Sequence, residues 1–281
     1  MAPETIRIHQ VNGLEFRVLR QGPGDPLILL HGFTGRAESW QPIIDRLAGD
    51  YDLHAIDLIG HGASSAPADP ARYRFDLAVN DLAAVLDRLG IDRGACLGYS
   101  LGGRLALGVA IAHPRRVSAL ILESATAGIQ DENERALRRA SDNALATRIE
   151  ERGTGAFVAE WEALPMWDSQ RSLLPKTLAA QRDRRLANSP TGLANSLRGM
   201  GQGAQPSLWH RLGDVQAPTL LIAGALDAKF AQLAARMQQS IPHATLCLIP
   251  HAGHAVHLES PDCFSEAVRG FHATQERSAF S

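Results

Sequence analysis

Short apolar runs alternate with helical patterns along most of the chain. Residues 5–11 and 14–19 are strand-like and flank Asn12-Gly13, which predicts a β-hairpin. Six further apolar runs predict strands at residues 27–30, 53–56, 95–97, 117–122, 220–223 and 246–249. Residues 76–89 carry their apolar side chains on one side, as an amphipathic helix does. Strands alternating with helices predict an α/β fold, with a mostly parallel, eight-stranded sheet and helices on both faces.

The alternation stops between residues 127 and 213. This segment is helical in pattern, charged and rich in arginine, and it contains no strand-like run. We interpret residues 127–213 as an inserted helical lid, and residues 1–126 and 214–281 as the core that carries it. A chain of 281 residues is near the upper size for a single core and leaves room for one such insertion.

Composition narrows the classes of partner. The chain is 45% hydrophobic and 21% charged with a net charge of −2, so it has no general attraction for nucleic acid or an anionic membrane. It has no apolar stretch of 18 residues, and residues 1–10 lack the pattern of a secretory signal. Cys96, Cys247 and Cys263 lack metal-ligand spacing. We therefore expect no metal and a cytoplasmic location, while monomer and homo-oligomer both stay open.

Residues 98–102 read Gly-Tyr-Ser-Leu-Gly, and they follow the apolar run 95–97 and open an apolar helical segment at 104–112. A catalytic serine must stand clear of the backbone, and glycines on both sides let a strand and a helix crowd together at a sharp turn. Free N–H groups at the helix N-terminus favour a developing negative charge there. The pattern predicts that Ser100 is catalytic; the alternative is a small turn residue.

A catalytic serine needs a base and a carboxylate that orients the base. Asp227 comes just after the strand-like run 218–224 and is our candidate carboxylate. Asp227 could instead only cap the helix that begins near Lys229. The rival carboxylate is Glu123, which follows the strand-like run 117–122.

The candidate base is His254, which lies in the loop Pro250-His251-Ala252-Gly253-His254 after the last predicted strand. His251 and His257 are its near competitors in the sequence. Serine, aspartate and histidine then occur in that chain order, each just after a strand, and this arrangement resembles the α/β-hydrolase fold.

An oxyanion hole is also visible in the sequence. The strand-like run 27–30 leads into the loop His31-Gly32-Phe33-Thr34-Gly35. The main-chain N–H groups of Phe33 and Leu101 are the expected donors, and His31 is expected to support the loop.

Arg104 lies one helical turn after Ser100, in a helix that should be buried. A buried charge is costly unless it is paired, and a substrate carboxylate held by two hydrogen bonds would pair it. The residues thus predict a small acidic substrate. For most arginines of the lid, a solvated helix face is the better interpretation.

The chain resembles the 2-succinyl-6-hydroxy-2,4-cyclohexadiene-1-carboxylate synthases of menaquinone biosynthesis over almost its whole length. The shared segments are residues 31–35, 98–104, 128–130, 135–138, 141–142, 227–230 and 252–254, together with Trp161 before Pro165. Where this family often has a glycine-rich run after the sixth strand, this chain has Glu123-Ser124-Ala125-Thr126.

The resemblance implies a cofactor-free lyase on an α/β-hydrolase scaffold. Its small polyanionic substrate, 2-succinyl-5-enolpyruvyl-6-hydroxy-3-cyclohexene-1-carboxylate, would lose pyruvate. The substrate-binding residues implied by the family are Tyr99, Arg104, Arg138, Trp161, Arg182 and Lys229. The contact assigned to Arg182 could instead be made by Arg184 or Arg185.

In this reaction Ser100 would act as a base toward a C–H bond rather than as a nucleophile. Two other functions are weighed against it. One is a serine hydrolase of the same fold that acts on an ester or a C–C bond of a small acidic substrate. The other is a binding protein without catalysis, although such proteins usually lack part of the triad or the oxyanion hole.

Overall fold

The computed structural model describes residues 4–279, with side chains described as far as residue 274. One sheet runs through this part of the chain, in the strand order β1-β2-β4-β3-β5-β6-β7-β8. Its strands are β1 (Thr5–Val11), β2 (Leu14–Gln21), β3 (Asp25–Leu30), β4 (Tyr51–Ile56), β5 (Gly94–Tyr99), β6 (Val117–Glu123), β7 (Thr219–Gly224) and β8 (Ala244–Ile249). The pairs that involve β2 are antiparallel and the other neighbours are parallel. The predicted mostly parallel, eight-stranded sheet is confirmed.

The helices of the described residues cover both faces of this sheet. They are α1 (Gln41–Leu47), α2 (Phe75–Leu89), α3 (Leu101–Ala112), α4 (Glu132–Glu162), α5 (Pro175–Leu186), α6 (Pro190–Met200), α7 (Ala228–Ser240), α8 (Val256–Glu259) and α9 (Pro261–Ala279). Apolar residues of α2, α3 and α7 pack on one face with Ile28 and Ile56. Residues of α1 and α9 pack on the other face with Leu27 and Leu29. Between residues 4 and 279, no helix is both long and apolar enough to cross a membrane.

The strand ends determine where a site can form. Leu30 pairs with Gly98, and Tyr99 pairs with Glu123, so β3, β5 and β6 end side by side. A methyl group added at Gly102 would lie 2.1 Å from the carbonyl oxygen of Leu30, so only glycine lets α3 approach β3 this closely. In open α/β sheets, ligands bind beyond the carboxyl ends of the strands.

Between β6 and β7 the chain forms α4, α5 and α6 and short 3-10 turns. A kink at Gly153, with φ 77°, interrupts α4. Helices α4 and α6 pack against each other through a small apolar cluster that includes Ile149, Phe157 and Leu193. Phe33 packs against this cluster from the loop after β3, so the segment lies next to the carboxyl ends of the strands.

Candidate active site

His254 lies in hydrogen-bonding distance of both Asp227 and Ser100. The Nδ1 atom of His254 is 2.7 Å from Oδ2 of Asp227, and its Nε2 atom is 3.3 Å from Oγ of Ser100. A carboxylate can only accept, so Nδ1–H donates to Asp227 and leaves Nε2 free to accept the Ser100 proton. The three side chains come from the β5–α3 turn, the end of β7 and the loop after β8. This arrangement can remove a proton or activate the serine.

The backbone at Ser100 is strained. Its φ of 50° and ψ of −105° lie in a region that costs a non-glycine residue on the order of 1–3 kcal/mol. Its N–H donates to the carbonyl oxygen of Glu123 at 2.9 Å, which holds the turn against β6. A methyl group added at Gly98 would lie 2.4 Å from the carbonyl carbon of Gly102. The glycines predicted at this turn are therefore required by the close approach of β5 and α3.

The loop after β3 is held by His31. Nε2 of His31 accepts from the N–H of Leu58 at 3.0 Å, so the hydrogen is on Nδ1, which donates to the carbonyl oxygen of Gly32 at 2.8 Å. Burial lowers the pKa of His31 to about 4, which keeps the imidazole neutral. In the described part of the chain, the N–H groups of Phe33 and Leu101 make no hydrogen bond and are free for a substrate oxygen.

The rival candidates occupy other positions. Glu123 is fully buried and accepts from His257 rather than from His254. His251 is exposed on the turn that follows β8, with φ 61°. The structure therefore brings Ser100 together with His254, and neither competing histidine contacts the serine.

A cavity of about 290 Å³ opens at Ser100, beneath α4 and α6. Its volume suits a small-molecule ligand. All of the site residues predicted from the sequence, with the exception of Arg182, line it. They are Phe33, Tyr99, Ser100, Leu101, Arg104, Arg138, Trp161, Asp227, Lys229 and His254.

Arg104 is 6% exposed and has no carboxylate partner among the described residues. Its Nη1 atom donates to the carbonyl oxygen of Met200 at 2.7 Å and to Oε1 of Gln205 at 2.9 Å. Burial, and then the charge of Arg138, lowers the pKa of Arg104 to about 9. A substrate carboxylate beside Arg104 would offset both the cost of burying its charge and the repulsion from Arg138.

Arg138 and Lys229 are the other cations of this cavity. Nε of Arg138 donates to Oδ1 of Asp142 at 2.7 Å, and its Nη1 donates to Oε1 of Gln202 at 3.0 Å. Lys229 is exposed, and its Nζ atom lies 5.8 Å from the centre of the Phe230 ring. Together with Arg104 they give the cavity a net positive charge.

The structure does not bring Arg182 to the cavity. Its exposed guanidinium pairs with Glu162, and Arg182 is not among the residues that line the cavity at Ser100. Arg185, one of the alternatives, is 6% exposed and lies 3.1 Å from Glu162 and 5.1 Å from the centre of the Trp167 ring. Burial lowers its pKa. Arg185 thus lies behind a wall of the cavity.

Sequence reasoning gave no role to several residues around these groups. Phe230 lies 4.5 Å from the ring of His254, and Trp167 lies 5.9 Å from it. Phe230 follows Asp227 by three residues at the start of α7, a spacing that could have indicated its place. Asp142 follows Arg138 by four residues on α4, a spacing that could have indicated their pairing, whereas Gln205 reaches the site only through tertiary packing and has no local signal. Among the residues with described side chains, no cluster of three or more His, Cys, Asp or Glu could hold a metal ion.

Comparison with known proteins agrees with this geometry. Residues 25–261 match the family described as alpha/beta hydrolase fold. A Bacillus subtilis protein named 2-succinyl-6-hydroxy-2,4-cyclohexadiene-1-carboxylate synthase is 41% identical over 95% of this chain and 98% of its own length. The synthase of that name from Serratia proteamaculans is 34% identical over 92% of this chain and 98% of its own length.

A solved structure, that of MenH from S. aureus, superimposes with a TM-score of 0.88. The two sequences are 35% identical, and the match covers 93% of this chain and 98% of the S. aureus chain. The chain therefore belongs to the α/β-hydrolase fold family and, within it, to the 2-succinyl-6-hydroxy-2,4-cyclohexadiene-1-carboxylate synthase family.

Proposed function

We propose that this chain is a lyase that eliminates pyruvate from 2-succinyl-5-enolpyruvyl-6-hydroxy-3-cyclohexene-1-carboxylate to give 2-succinyl-6-hydroxy-2,4-cyclohexadiene-1-carboxylate. One observation carries this proposal beyond the family resemblance. A serine triad opens onto a cavity with three cations, Arg104, Arg138 and Lys229. A substrate with several carboxylates would meet this charge, whereas a neutral ester would leave Arg104 without an anionic partner.

The reaction begins with removal of the proton next to the succinyl ketone. Ser100 Oγ takes this proton while its own proton passes to Nε2 of His254, and Asp227 stabilises the imidazolium that forms. The electron pair of the broken C–H bond moves onto the ketone as an enolate. The enolate then expels the enolpyruvyl oxygen and the ring gains a double bond. The proton held by His254 returns to the leaving group, which becomes pyruvate.

The oxyanion donors act on the enolate oxygen. Phe33 and Leu101 line the cavity beside Ser100, and in this proposal their N–H groups meet the charge as it develops. Loss of one such donor typically lowers the rate by roughly 100-fold or more. The cations Arg104 and Arg138 hold carboxylates and fix the orientation of the ring, with Tyr99 and Trp161 on its sides.

We also propose that residues 127–213 act as a lid on the core formed by residues 1–126 and 214–281. The support is that α4 and α6 contribute Arg138, Trp161 and Leu197 to the cavity, while the triad comes entirely from the core. In this proposal Arg182 reaches the substrate only if α5 shifts, and Arg185 is the nearer arginine.

We place the reaction in the cytoplasm. Cys96, Cys247 and Cys263 are free thiols, and a reducing compartment keeps thiols in that state.

Measuring pyruvate release from enzymatically generated substrate tests the function, with short p-nitrophenyl esters run in parallel. We expect rapid pyruvate release that Ser100→Ala lowers by at least 1,000-fold, in line with removal of a triad member. Arg104→Gln should lower kcat/KM for pyruvate release by roughly 100-fold or more, since a buried charge-assisted contact is lost.

Arg211→Gln is the matched control, because this exposed arginine pairs with Asp214 at the protein surface and, among the described residues, with no other carboxylate. It should release pyruvate at the rate of the unaltered protein. Rapid ester turnover without pyruvate release would identify a hydrolase instead. A Ser100→Ala protein with full lyase activity would contradict the proposed role of the triad.

A further inference from the structure

A second cavity, of about 360 Å³, lies at the β1–β2 end of the sheet, near the end of α2. It shares no lining residue with the cavity at Ser100. Its charged and titratable groups are Arg7, His9, Arg20, His54 and Arg88. A volume above 300 Å³ is in the range of small-molecule sites.

The strand register puts these groups on one face. Thr5 pairs with Arg20, and Arg20 pairs with His54, so the three form one row across β1, β2 and β4. Arg7 pairs with Val18 in the next row, two residues along β1. Successive side chains alternate between faces, so Arg7 and His54 lie on the same side of the sheet. That face elsewhere carries the apolar core packed beneath α2.

His54 is buried, with 3% of its surface exposed. Its Nε2 atom lies 3.0 Å from Oδ2 of Asp52 without hydrogen-bond geometry, and neither Nε2 nor Nδ1 has a hydrogen-bond partner in the described part of the chain. An unsatisfied buried polar atom costs roughly 1–3 kcal/mol, which a bound ligand would offset.

The charge of this cavity is positive. Arg20 and Asp52 offset each other through two hydrogen bonds of 2.7 and 2.9 Å. Arg7 and Arg88 are exposed, and within the described residues neither has an ion pair. Burial, and then the charges of Arg88 and Arg7, lowers the pKa of His9, as a positive potential does.

We propose that this cavity binds a small oxyanion, a carboxylate or a phosphate, between the guanidinium groups of Arg7 and Arg88 and the imidazole of His54. The charge of Asp52, 3.0 Å from Nε2, favours a proton on that atom, so Nδ1 can donate to the anion when His54 is protonated. The anion and Asp52 then flank an imidazolium, and binding takes up a proton. Burial lowers the pKa of His54 in the free protein and a bound anion raises it, so anion binding weakens as the pH rises through the pKa of the complex.

Titration calorimetry with inorganic phosphate and with succinate tests this site, at a constant ionic strength set with sodium chloride. We expect saturable binding of at least one of the two anions, with proton uptake seen as a dependence of the heat on the ionisation enthalpy of the buffer. The double variant Arg7→Gln, Arg88→Gln should weaken binding at least tenfold and leave pyruvate release unchanged. Restoring the charge with Lys at both positions should recover part of the affinity.

Two controls keep the result specific. Arg93→Gln, Arg115→Gln makes the same change of net charge at exposed arginines outside the cavity and should bind as the unaltered protein does. Arg104→Gln removes a cation of the catalytic cavity and should also leave binding at the second cavity unchanged. The proposal would be overturned if binding were lost in Arg104→Gln alone, or lost equally in both double variants. It would also be overturned if neither anion gave more heat than a matched injection of sodium chloride. Comparing the affinities for phosphate and succinate shows whether the cavity binds a phosphate or a carboxylate.

Discussion

The carboxylate of Glu123 accepts two hydrogen bonds from His257, one from the main-chain N–H and one from Nδ1, each 2.9 Å long. Glu123 and His257 are thus partners in a second acid–histidine pair that lies behind the triad. The ring of Tyr99 lies between the two histidines, 4.7 Å from the ring of His257 and 5.4 Å from that of His254. The buried pair supports the wall of the cavity next to Ser100.

We expect Glu123→Gln to lower the free energy of unfolding by roughly 1–3 kcal/mol, because the amide removes the charge and places an N–H donor at the position of Oε2, 2.9 Å from Nδ1–H of His257. Urea denaturation measures this loss. Asp76→Asn is the matched control, since Asp76 pairs with Arg74 at the surface and should change stability by less than about 1 kcal/mol. Equal effects of the two variants would mean that the buried pair has no special role in stability.

The sequence predicts the sheet well and the surroundings of the site less completely. The hydrophobic runs 27–30 and 95–97 lie inside β3 and β5, because a buried parallel strand is apolar on both faces and its pattern is local. Residues 98–102 form the strand-to-helix turn as predicted. The partner of Glu123 was not predictable, because His257 follows it by 134 residues and meets it only after the sheet has formed.

The same limit explains the arginines of α5. Sequence spacing cannot distinguish Arg182 from Arg185, since both lie on one short helix and only its rotation decides which side chain is buried. Arg104, in contrast, was predictable as a cavity residue because it follows Ser100 by one turn of a helix that is buried throughout. Its neutral partners, Met200 and Gln205, come from a distant part of the chain and carry no local signal.

The two α5 arginines should differ in their effect on catalysis. Arg182→Gln removes an exposed ion pair with Glu162 and should change kcat/KM for pyruvate release by less than about twofold. Arg185→Gln removes the guanidinium that stacks on Trp167 and should lower kcat/KM by roughly tenfold, because that ring forms part of the cavity wall. Steady-state kinetics of both variants measures this difference in kcat/KM. The reverse order would mean that α5 is rotated when substrate is bound.

Two glycines in helices should respond oppositely to alanine. Gly102→Ala places a methyl group 2.1 Å from the carbonyl oxygen of Leu30, so α3 must move away from β3 and Ser100 with it. We expect a loss of about 1–3 kcal/mol or more in unfolding free energy, together with loss of lyase activity. Gly155→Ala in α4 meets no atom within 4 Å and should raise stability by up to about 1 kcal/mol. Urea denaturation of both proteins tests the contrast, and a stabilised Gly102→Ala protein would contradict it.

Acid should destabilise the protein through His31. Burial lowers its pKa from 6.5 to about 4, so between these values the unfolded chain binds a proton that the folded protein does not. The contribution of His31 to stability is complete above pH 6.5 and is lost as the pH falls toward 4, by about 3 kcal/mol in total. Protonation would also remove the acceptor for Leu58 N–H and release the loop that carries Phe33.

Urea denaturation of the protein and of His31→Gln, at intervals from pH 7.5 to 4.5, measures this effect. The variant should be less stable at pH 7.5, because glutamine does not reproduce the two hydrogen bonds of the imidazole. As the pH falls, the free energy of unfolding should decrease less steeply in the variant than in the unaltered protein. The two slopes should differ by up to about 1.4 kcal/mol per pH unit. His243→Gln, which alters an exposed imidazole, should keep the slope of the unaltered protein. If His31→Gln also keeps that slope, then His31 is not the group that links acid to the loss of structure.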